Sequence, residues 1–197
     1  MSHPDIPVAS IVVIGGGIGA GKSSVLEVFE QDGFLVIEAD RVGHEILASN
    51  HDAGRRVMHR WPCVVVDGEV ARSKLAQIVF SDRDALRELE AITHPAIERE
   101  ITRRVKEATG AVAIEIPILG MFSHAQWHRI AVVAPEEVRV ARVVVRGGEP
   151  NDVRARITNQ PSTAEWTVWA DTVIDNGGSW EQTAHALEAF IGRGASE

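Results

Sequence analysis

The sequence predicts an α/β protein built around a five-stranded parallel sheet. Short, β-branched apolar segments alternate with longer segments of helical periodicity, which is typical of doubly wound folds. Each apolar segment is nearly continuous, as expected for a strand that is covered on both faces. The predicted strands are SIVVIG (10–15), FLVIEA (34–39), AVAIEI (111–116), RIAVVA (129–134) and DTVID (171–175). The predicted helices cover 22–32, 40–48, 52–60, 72–80, 84–108, 135–146, 150–159 and 179–192, and His94–Pro95 is expected to interrupt the helical run of 84–108.

Two regions hold more helix than simple alternation requires. Residues 41–109 separate the second and third strands, and the arginine-rich residues 135–170 separate the fourth and fifth. Open α/β sheets bind ligands at the carboxyl ends of their strands, so helices inserted there can cover a ligand. We therefore expect one domain spanning 1–197, with two helical covers. Its core comprises about 10–40, 111–134 and 171–192.

Composition narrows the class of protein. The chain has 197 residues, 24% of them charged, a net charge of −8 and no long basic run, which argues against a nucleic-acid binder. The single cysteine, Cys63, cannot form an intramolecular disulfide. No apolar run approaches the ~18 residues of a membrane span, and MSHPDIPVAS lacks the pattern of a signal peptide. We expect a cytoplasmic protein with no membrane partner; its oligomeric state is not predicted.

The segment VVIGGGIGAGKSSV (12–25) fits a phosphate-binding loop, because it contains G-x-x-x-x-G-K-S between a predicted strand and a predicted helix. In such a loop the glycine amides and the helix N-terminus hold the phosphates of a nucleoside triphosphate. Lys22 would bridge the β- and γ-phosphates, and the Ser23 hydroxyl would ligate Mg²⁺. The residues expected to contact ATP are Gly17, Ile18, Gly19, Ala20, Gly21, Lys22, Ser23 and Ser24.

The same glycines also allow a second interpretation. Gly15, Gly17 and Ala20 fit the G-x-G-x-x-A turn of dinucleotide-binding proteins, and Glu38 lies at about the spacing of the acidic residue that binds the ribose. A dinucleotide turn has no use for a lysine–serine pair at the helix start, whereas triphosphate chemistry needs both. The sequence therefore favours ATP, with an NAD-dependent oxidoreductase as the remote alternative.

Later segments extend the match to nearly the whole chain, about residues 10 to 192. With the loop and Asp40 included, the ordered set resembles the dephospho-CoA kinases. The segments that carry the resemblance are GGIGAGKSS (16–24), GFLVIEADRVGHEIL (33–47), GEVARSKLAQIVFSD (68–82), LRELEAITHPAI (86–97), EIPILG (115–120), RVARVVVRGG (139–148), RITNQ (156–160) and WADTVIDNGG (169–178).

The resemblance implies a P-loop kinase that uses Mg·ATP to phosphorylate the ribose 3′-hydroxyl of dephospho-CoA. Residues 41–109 would form the acceptor-binding insertion and 135–170 the lid. Asp40 would be the catalytic base, a role compatible with a helix N-cap, and Arg72 and His94 would contact the acceptor. Arg142 and Arg146 share one helix face, where they would stabilise the transferred phosphoryl group and bind nucleotide, or simply face solvent beside Glu136 and Glu137. Asn176 resembles the family position beside adenine.

Four positions depart from the family pattern. The family's first aspartate is Glu38 here, its arginine four residues after the second aspartate is His44, and the aspartate before Arg72 is Ala71. Gly120 and Met121 stand in place of Phe-Glu. Two alternatives follow from these departures: a related kinase with another acceptor, or an ATP-binding relative that has lost kinase activity.

Overall fold

A computed structural model describes residues 11–123 and 125–194. The chain divides into two compact units. The sheet unit is formed by the residues up to Glu38 and from Ala108 onward, and the helical unit is formed by Ala39–Glu107.

The helices and strands follow the predicted order closely. In chain order they are β1 (Ile11–Gly15), α1 (Lys22–Gln31), β2 (Leu35–Glu38), α2 (Ala39–Glu45), α3 (Asp52–Arg60), a 3₁₀ turn (Pro62–Val64), β3 (Val65–Val66), β4 (Glu69–Val70), α4 (Arg72–Ser81), α5 (Arg83–Glu107), β5 (Val112–Glu115), β6 (His128–Val133), α6 (Glu136–Val145), α7 (Pro150–Thr158), α8 (Thr163–Trp169), β7 (Thr172–Asp175) and α9 (Trp180–Gly194).

The sheet unit contains a five-stranded sheet in the order β2-β5-β1-β6-β7, and every pairing is parallel. The predicted α/β class and five-stranded parallel sheet are confirmed. Because all strands run the same way, the loop after β1 and the ends of β2, β5, β6 and β7 lie at one edge of the sheet. That edge is where ligands bind in open α/β sheets.

Burial on both faces was predicted for all five strands, and this is wrong for the two outer ones. Every residue of β1 is buried, but Leu35 of β2 is 47% exposed and Val173 of β7 is 41% exposed. Both strands lie at the ends of the sheet, where a neighbour is present on one side only. An apolar run therefore identified the strands but not their places in the sheet.

The core of the sheet unit lies between the sheet and helices α1 and α9. Phe29 of α1 and Leu187 of α9 are fully buried in it, and Phe29 stacks edge-on against Phe34 and Phe190. A buried side chain of this size contributes about 1.5–3 kcal/mol to stability. This packing fixes α1, and with it the loop that precedes the helix, against β1.

The helical unit is organised around α5, on which α2, α3 and α4 all pack. The His94–Pro95 pair was expected to interrupt this helix, yet α5 continues from Arg83 to Glu107 with Pro95 inside it. Proline removes one amide donor from a helix. In a 25-residue helix held by three neighbours, that loss does not end the helix. The short β3–β4 hairpin was not predicted, because strands of two residues show no periodicity.

Within the described residues, none of the helices combines the length and the apolar character needed to cross a bilayer.

Candidate functional site

The glycine-rich loop joins the buried strand β1 to the start of α1. Gly21 is the N-cap of α1 with φ +99°, and Gly19 has φ +76°, a left-handed conformation that strongly favours glycine. In addition, neither position has room for a side chain. A Cβ on Gly21 would overlap the Asn176 amide nitrogen, and one on Gly19 would overlap the main-chain oxygen of Arg139. The glycines therefore let other segments of the sheet unit approach the loop backbone closely.

The second half of the loop is anchored at the carbonyl of Ala20. This oxygen accepts hydrogen bonds from Asn176 Nδ2 at 2.8 Å and from Arg142 Nη1 at 3.3 Å. Arg142 Nη2 also donates to the main-chain oxygen of Asn176 at 2.8 Å, and Asn176 Oδ1 accepts from the Thr183 hydroxyl at 3.1 Å. Two residues predicted from sequence, Arg142 and Asn176, are thus brought together on the predicted loop.

The first half of the loop is anchored at Ile18. Its amide donates to Gln160 Oε1 at 2.8 Å, and its carbonyl accepts from Arg139 Nε at 2.8 Å. Neither Gln160 nor Arg139 was among the predicted site residues. The available signal was spacing, since Arg139 precedes Arg142 by three residues and so lies on the same face of α6.

Lys22 lies at the loop and contacts both the loop and the neighbouring strand. Its ammonium donates to the Gly16 carbonyl at 2.9 Å and pairs with Glu115 Oε1 at 3.3 Å. The lysine side chain is 16% exposed and the glutamate side chain 12% exposed, so the pair is largely withdrawn from solvent. Glu115 ends β5 and is the register partner of Glu38 on β2. Glu115 was missed, because one acidic residue at a strand end forms no sequence pattern.

The loop geometry fits a polyphosphate bound with Mg²⁺. Ser23 and Ser24 lie in the first turn of α1, where free amides and the helix dipole favour an anion. Ser23 is exposed and Ser24 is half-buried. Among the described residues, no group of three or more His, Cys, Asp or Glu side chains could hold a metal ion by themselves. A cation at this loop would therefore take most of its ligands from phosphate oxygens and water.

The strand order does not fit the dinucleotide alternative. In a Rossmann sheet the strand that carries the ribose-binding acid is the neighbour of the first strand. Here β5 lies between β1 and β2, so Glu38 is one strand removed from the glycine turn. Gly15 has a structural explanation instead, because a Cβ there would overlap the ring of the buried Trp166.

The remaining predicted arginine of the lid, Arg146, is the C-cap of α6 and is exposed. Nearby, Arg154 of α7 pairs with Glu136 at 3.0 Å and with Glu137 at 2.8 Å, both in the first turn of α6. The hydrogen bond from Arg154 lowers the pKa of Glu137. These pairs link α6 to α7, and they occupy both acidic residues of the first turn of α6.

In the helical unit, the three predicted acceptor residues lie on three different helices, α2, α4 and α5. Asp40 is the second residue of α2 and is exposed, and His44 lies four residues later on the same helix face. His44 and Arg72, the first residue of α4, line one cavity of about 440 Å³. Its other lining residues are Glu45, Leu47, Ala48, Glu69 and Val70.

The third predicted acceptor residue is not part of this cavity. His94 is half-buried in the middle of α5, and it does not appear among the described residues that line the cavity. The position of α2 on α5 is held by Arg104, which pairs with Glu45 and, at 2.9 Å, with Glu100. His44 and Arg72 therefore form the candidate acceptor surface of this unit, and Asp40 lies one helical turn before His44 on α2.

Two of the departures from the family pattern have local structural explanations. Ala71 is the N-cap of α4 and makes no side-chain cap hydrogen bond, so an aspartate at this position would be well placed to cap the helix. Gly120 has φ +94°, a conformation that phenylalanine would adopt only with strain, and Met121 is buried. Neither departure removes a group from the phosphate loop.

Comparisons with known proteins agree with this geometry. A family model described as dephospho-CoA kinase matches residues 10–182. The dephospho-CoA kinase of Carboxydothermus hydrogenoformans is 36% identical over 195 residues, which cover 93% of this chain and 94% of that protein. The structure of dephospho-CoA kinase from Campylobacter jejuni matches with a TM-score of 0.70 and 25% identity, covering 93% of this chain and 96% of that one.

A more distant structure shares the fold alone. Shikimate kinase from Bacteroides thetaiotaomicron has a TM-score of 0.54 at 12% identity, covering 92% of this chain and 98% of that one. The resemblance inferred from the quoted segments is confirmed by the family match and by the relatives that span the chain. The chain belongs to the dephospho-CoA kinase family.

Proposed function

We propose that this protein transfers the γ-phosphoryl group of ATP to the ribose 3′-hydroxyl of dephospho-CoA, giving coenzyme A and ADP. The observation that carries the proposal is the anchored phosphate loop, with Lys22 at the start of α1 and Arg142 and Asn176 on the Ala20 carbonyl. Family membership supports dephospho-CoA as the acceptor. We place the reaction in the cytoplasm, which agrees with an exposed free thiol at Cys63.

At the nucleotide end, the main-chain amides of residues 17–24 hold the phosphates, and Lys22 neutralises charge on the β- and γ-phosphates. Mg²⁺ bound with the nucleotide would supply positive charge that offsets the negative charge developing on the phosphates during transfer. Ser23 would ligate it, and Glu115, at the end of the strand beside β1, is suited to hold one of its waters. Arg142 is suited to stabilise the transferred group, while Arg146 and Asn176 bind the nucleotide.

At the acceptor end, Asp40 accepts the proton of the attacking hydroxyl and orients it. Asp40 follows β2 by two residues, and β2 ends at the same edge of the sheet as β1. Arg72 is suited to an acceptor phosphate, because a guanidinium can donate two parallel hydrogen bonds to phosphate oxygens. His44 lines the same cavity. His94 of α5 contacts the acceptor outside this cavity.

Two other candidates stay testable. The departures at His44 and Ala71 favour a related kinase with another acceptor, and those at Ala71, Gly120 and Met121 favour an ATP-binding relative without kinase activity. Retention of Lys22, Ser23 and Asp40 weighs against the second.

The test is to measure ADP formation from Mg·ATP with dephospho-CoA and with a panel of nucleosides and nucleotides that have a free ribose hydroxyl. We expect turnover with dephospho-CoA and a product that carries a 3′-phosphate by ³¹P NMR. Asp40→Asn should lower kcat about 10²–10⁴-fold with little change in the KM for ATP. The matched control is Asp32→Asn, which changes an exposed carboxylate at the end of α1 and should leave kcat and both KM values unchanged.

Each outcome is informative. Turnover on another acceptor but not on dephospho-CoA would keep the mechanism and replace the substrate. Nucleotide binding without transfer to any acceptor would favour the inactive relative. Near-normal turnover of Asp40→Asn would remove Asp40 as the base.

A further inference from the structure

Arg139 is a buried cation pressed against the phosphate loop. Only 5% of this residue is exposed, although arginine is rarely buried without a partner. Its Nε donates to the Ile18 carbonyl at 2.8 Å. Its Nη2 is buried and has no hydrogen-bond partner among the described residues.

The guanidinium occupies the space that a side chain at Gly17 would need. A Cβ built on Gly17 would lie 2.7 Å from Arg139 Cζ and would overlap Nη2. The backbone of Arg139 approaches the loop as well, at Gly19. The charge therefore lies directly against the loop backbone, with no side chain between them.

Among the described residues of the sheet unit, no acidic side chain forms an ion pair with this charge. Burial lowers the pKa of the Arg139 guanidinium, and Glu136 only partly opposes this effect. Glu136 itself pairs with Arg154 at 3.0 Å. Within the described part of the chain, Arg139 takes part in no ion pair, unlike Arg154 on the adjoining helix.

A buried, unneutralised cation is unfavourable by itself and becomes favourable when an anion arrives nearby. The phosphate loop is the nearest site that would receive an anion. Coulombic attraction is strong at short range in a poorly solvated environment, and it grows with the number of phosphate charges.

We propose that Arg139 is a positioning residue that holds the Ile18 carbonyl and whose buried charge raises the affinity of the loop for the polyphosphate of ATP, at the expense of stability in the nucleotide-free protein. The inference rests on the proposed function, since it assumes that ATP is the ligand of the loop. It assigns Arg139 no direct contact with the transferred group.

The experiment compares Arg139→Met, which removes the charge, with Arg139→Lys, which keeps it. Arg154→Met is the matched control, because it removes an arginine that is already ion-paired at the α6–α7 contact. Dissociation constants for Mg·ATP, Mg·ADP and AMP are measured by calorimetry for each variant. Thermal midpoints are measured without nucleotide.

We expect Arg139→Met to weaken ATP binding about tenfold, ADP binding less, and AMP binding least. Arg139→Lys should stay within about threefold of the wild type for all three nucleotides. The nucleotide-free thermal midpoint of Arg139→Met should equal or exceed that of the wild type, because a buried unpaired charge is replaced by an apolar chain. Arg154→Met should not change the order of the three affinities.

An equal loss for all three nucleotides, or an equal loss in the Met and Lys variants, would show a purely structural anchor and overturn the inference. Unchanged ATP affinity in Arg139→Met would also overturn it and would leave the proposed function intact. A wild-type protein that binds none of the nucleotides would overturn both. If Arg139→Met does not fold, Arg139→Gln provides the same uncharged comparison.

Discussion

The phosphate loop and the cavity that we propose for the acceptor, lined by His44 and Arg72, are built in different ways. The loop is held by buried or half-buried groups that bond to main-chain atoms, among them Arg139 and Gln160 at Ile18 and Asn176 at Ala20. The acceptor cavity is lined by exposed side chains such as His44 and Arg72, which project from helices α2 and α4.

Because of this difference, we expect the loop to tolerate few substitutions and the cavity to tolerate many. Main-chain geometry recognises phosphate whatever the rest of the nucleotide is, and each contact in the loop constrains several neighbours. An exposed side chain can change identity at little cost to the fold, so acceptor recognition can vary while nucleotide binding persists. His44 and Ala71, two departures from the family pattern, both fall in the helical unit.

Loss of the loop lysine should have the greatest consequence for activity. Lys22→Ala removes the ammonium that neutralises the phosphates, and we expect kcat to fall about 10³-fold or more. Lys22→Met, which keeps the aliphatic part of the side chain, should lower kcat by a similar factor. Steady-state rates and thermal midpoints are the measurements. Lys106→Ala, at the exposed end of α5, is the control, and retention of more than a tenth of wild-type kcat by both Lys22 variants would contradict the assignment.

The close approach of Asn176 to the loop predicts a second large effect. Gly21→Ala combines a left-handed backbone with overlap at the Asn176 amide, and should lower the unfolding free energy by about 2–4 kcal/mol. Gly33→Ala is the matched control, since Gly33 has φ +90° and nothing lies within 4 Å of an added Cβ. Gly33→Ala should lower the unfolding free energy by only about 1–2 kcal/mol. Equal denaturation midpoints for the two variants would refute the close packing at Asn176.

Much of this site could be predicted because its determinants are local in sequence. The loop, Lys22 and Ser23 lie in one contiguous motif, and the strand before them has an unmistakable apolar pattern. The family resemblance singled out Arg142 and Asn176, which lie more than 120 residues downstream and whose side chains both donate to the Ala20 carbonyl of the loop. The order of segments supplied that information, and periodicity alone could not. The predicted roles of Arg142 and Asn176 toward the phosphoryl group and the adenine stay predictions.

The features that were missed depend on three-dimensional neighbours. Glu115 contacts Lys22 only because β5 is placed beside β1, and strand order is not encoded in any single strand. In the sequence, Arg139 is one of several arginines on an amphipathic helix, and only its burial in the structure distinguishes it from the others. Pro95 was expected to interrupt a helix that tertiary packing keeps continuous.

Removal of a side chain that lines this cavity should weaken binding of the acceptor without weakening binding of ATP. Arg72→Ala is expected to raise the KM for dephospho-CoA about tenfold, because one charge-assisted phosphate contact is lost, with the KM for ATP unchanged. Arg56→Ala, an exposed arginine of the same unit that does not line this cavity, is the control. Parallel increases in both KM values, or none in either, would argue against the cavity as the acceptor site.

The smallest effect concerns the ion pairs that Glu100 makes within α5, with Arg103 and Arg104, and it depends on pH. Hydrogen bonds from Arg103, aided by Arg104, lower the pKa of Glu100 from 4.5 to about 2. A carboxylate whose pKa is lower in the folded state stabilises the fold above its unfolded pKa. That stabilisation is lost as the pH falls from about 4.5 toward 2.

Solvent screening reduces this contribution, because the Arg103 side chain is 54% exposed. We therefore expect Glu100→Gln to lower the unfolding free energy by only about 1 kcal/mol at pH 7, with the difference from wild type shrinking below pH 4.5. Urea denaturation across that range is the measurement. Glu107→Gln, whose carboxylate also pairs with Arg103 but is 61% exposed, is the control and should change stability less. A difference that persists unchanged below pH 4.5 would mean that Glu100 acts through packing rather than through its charge.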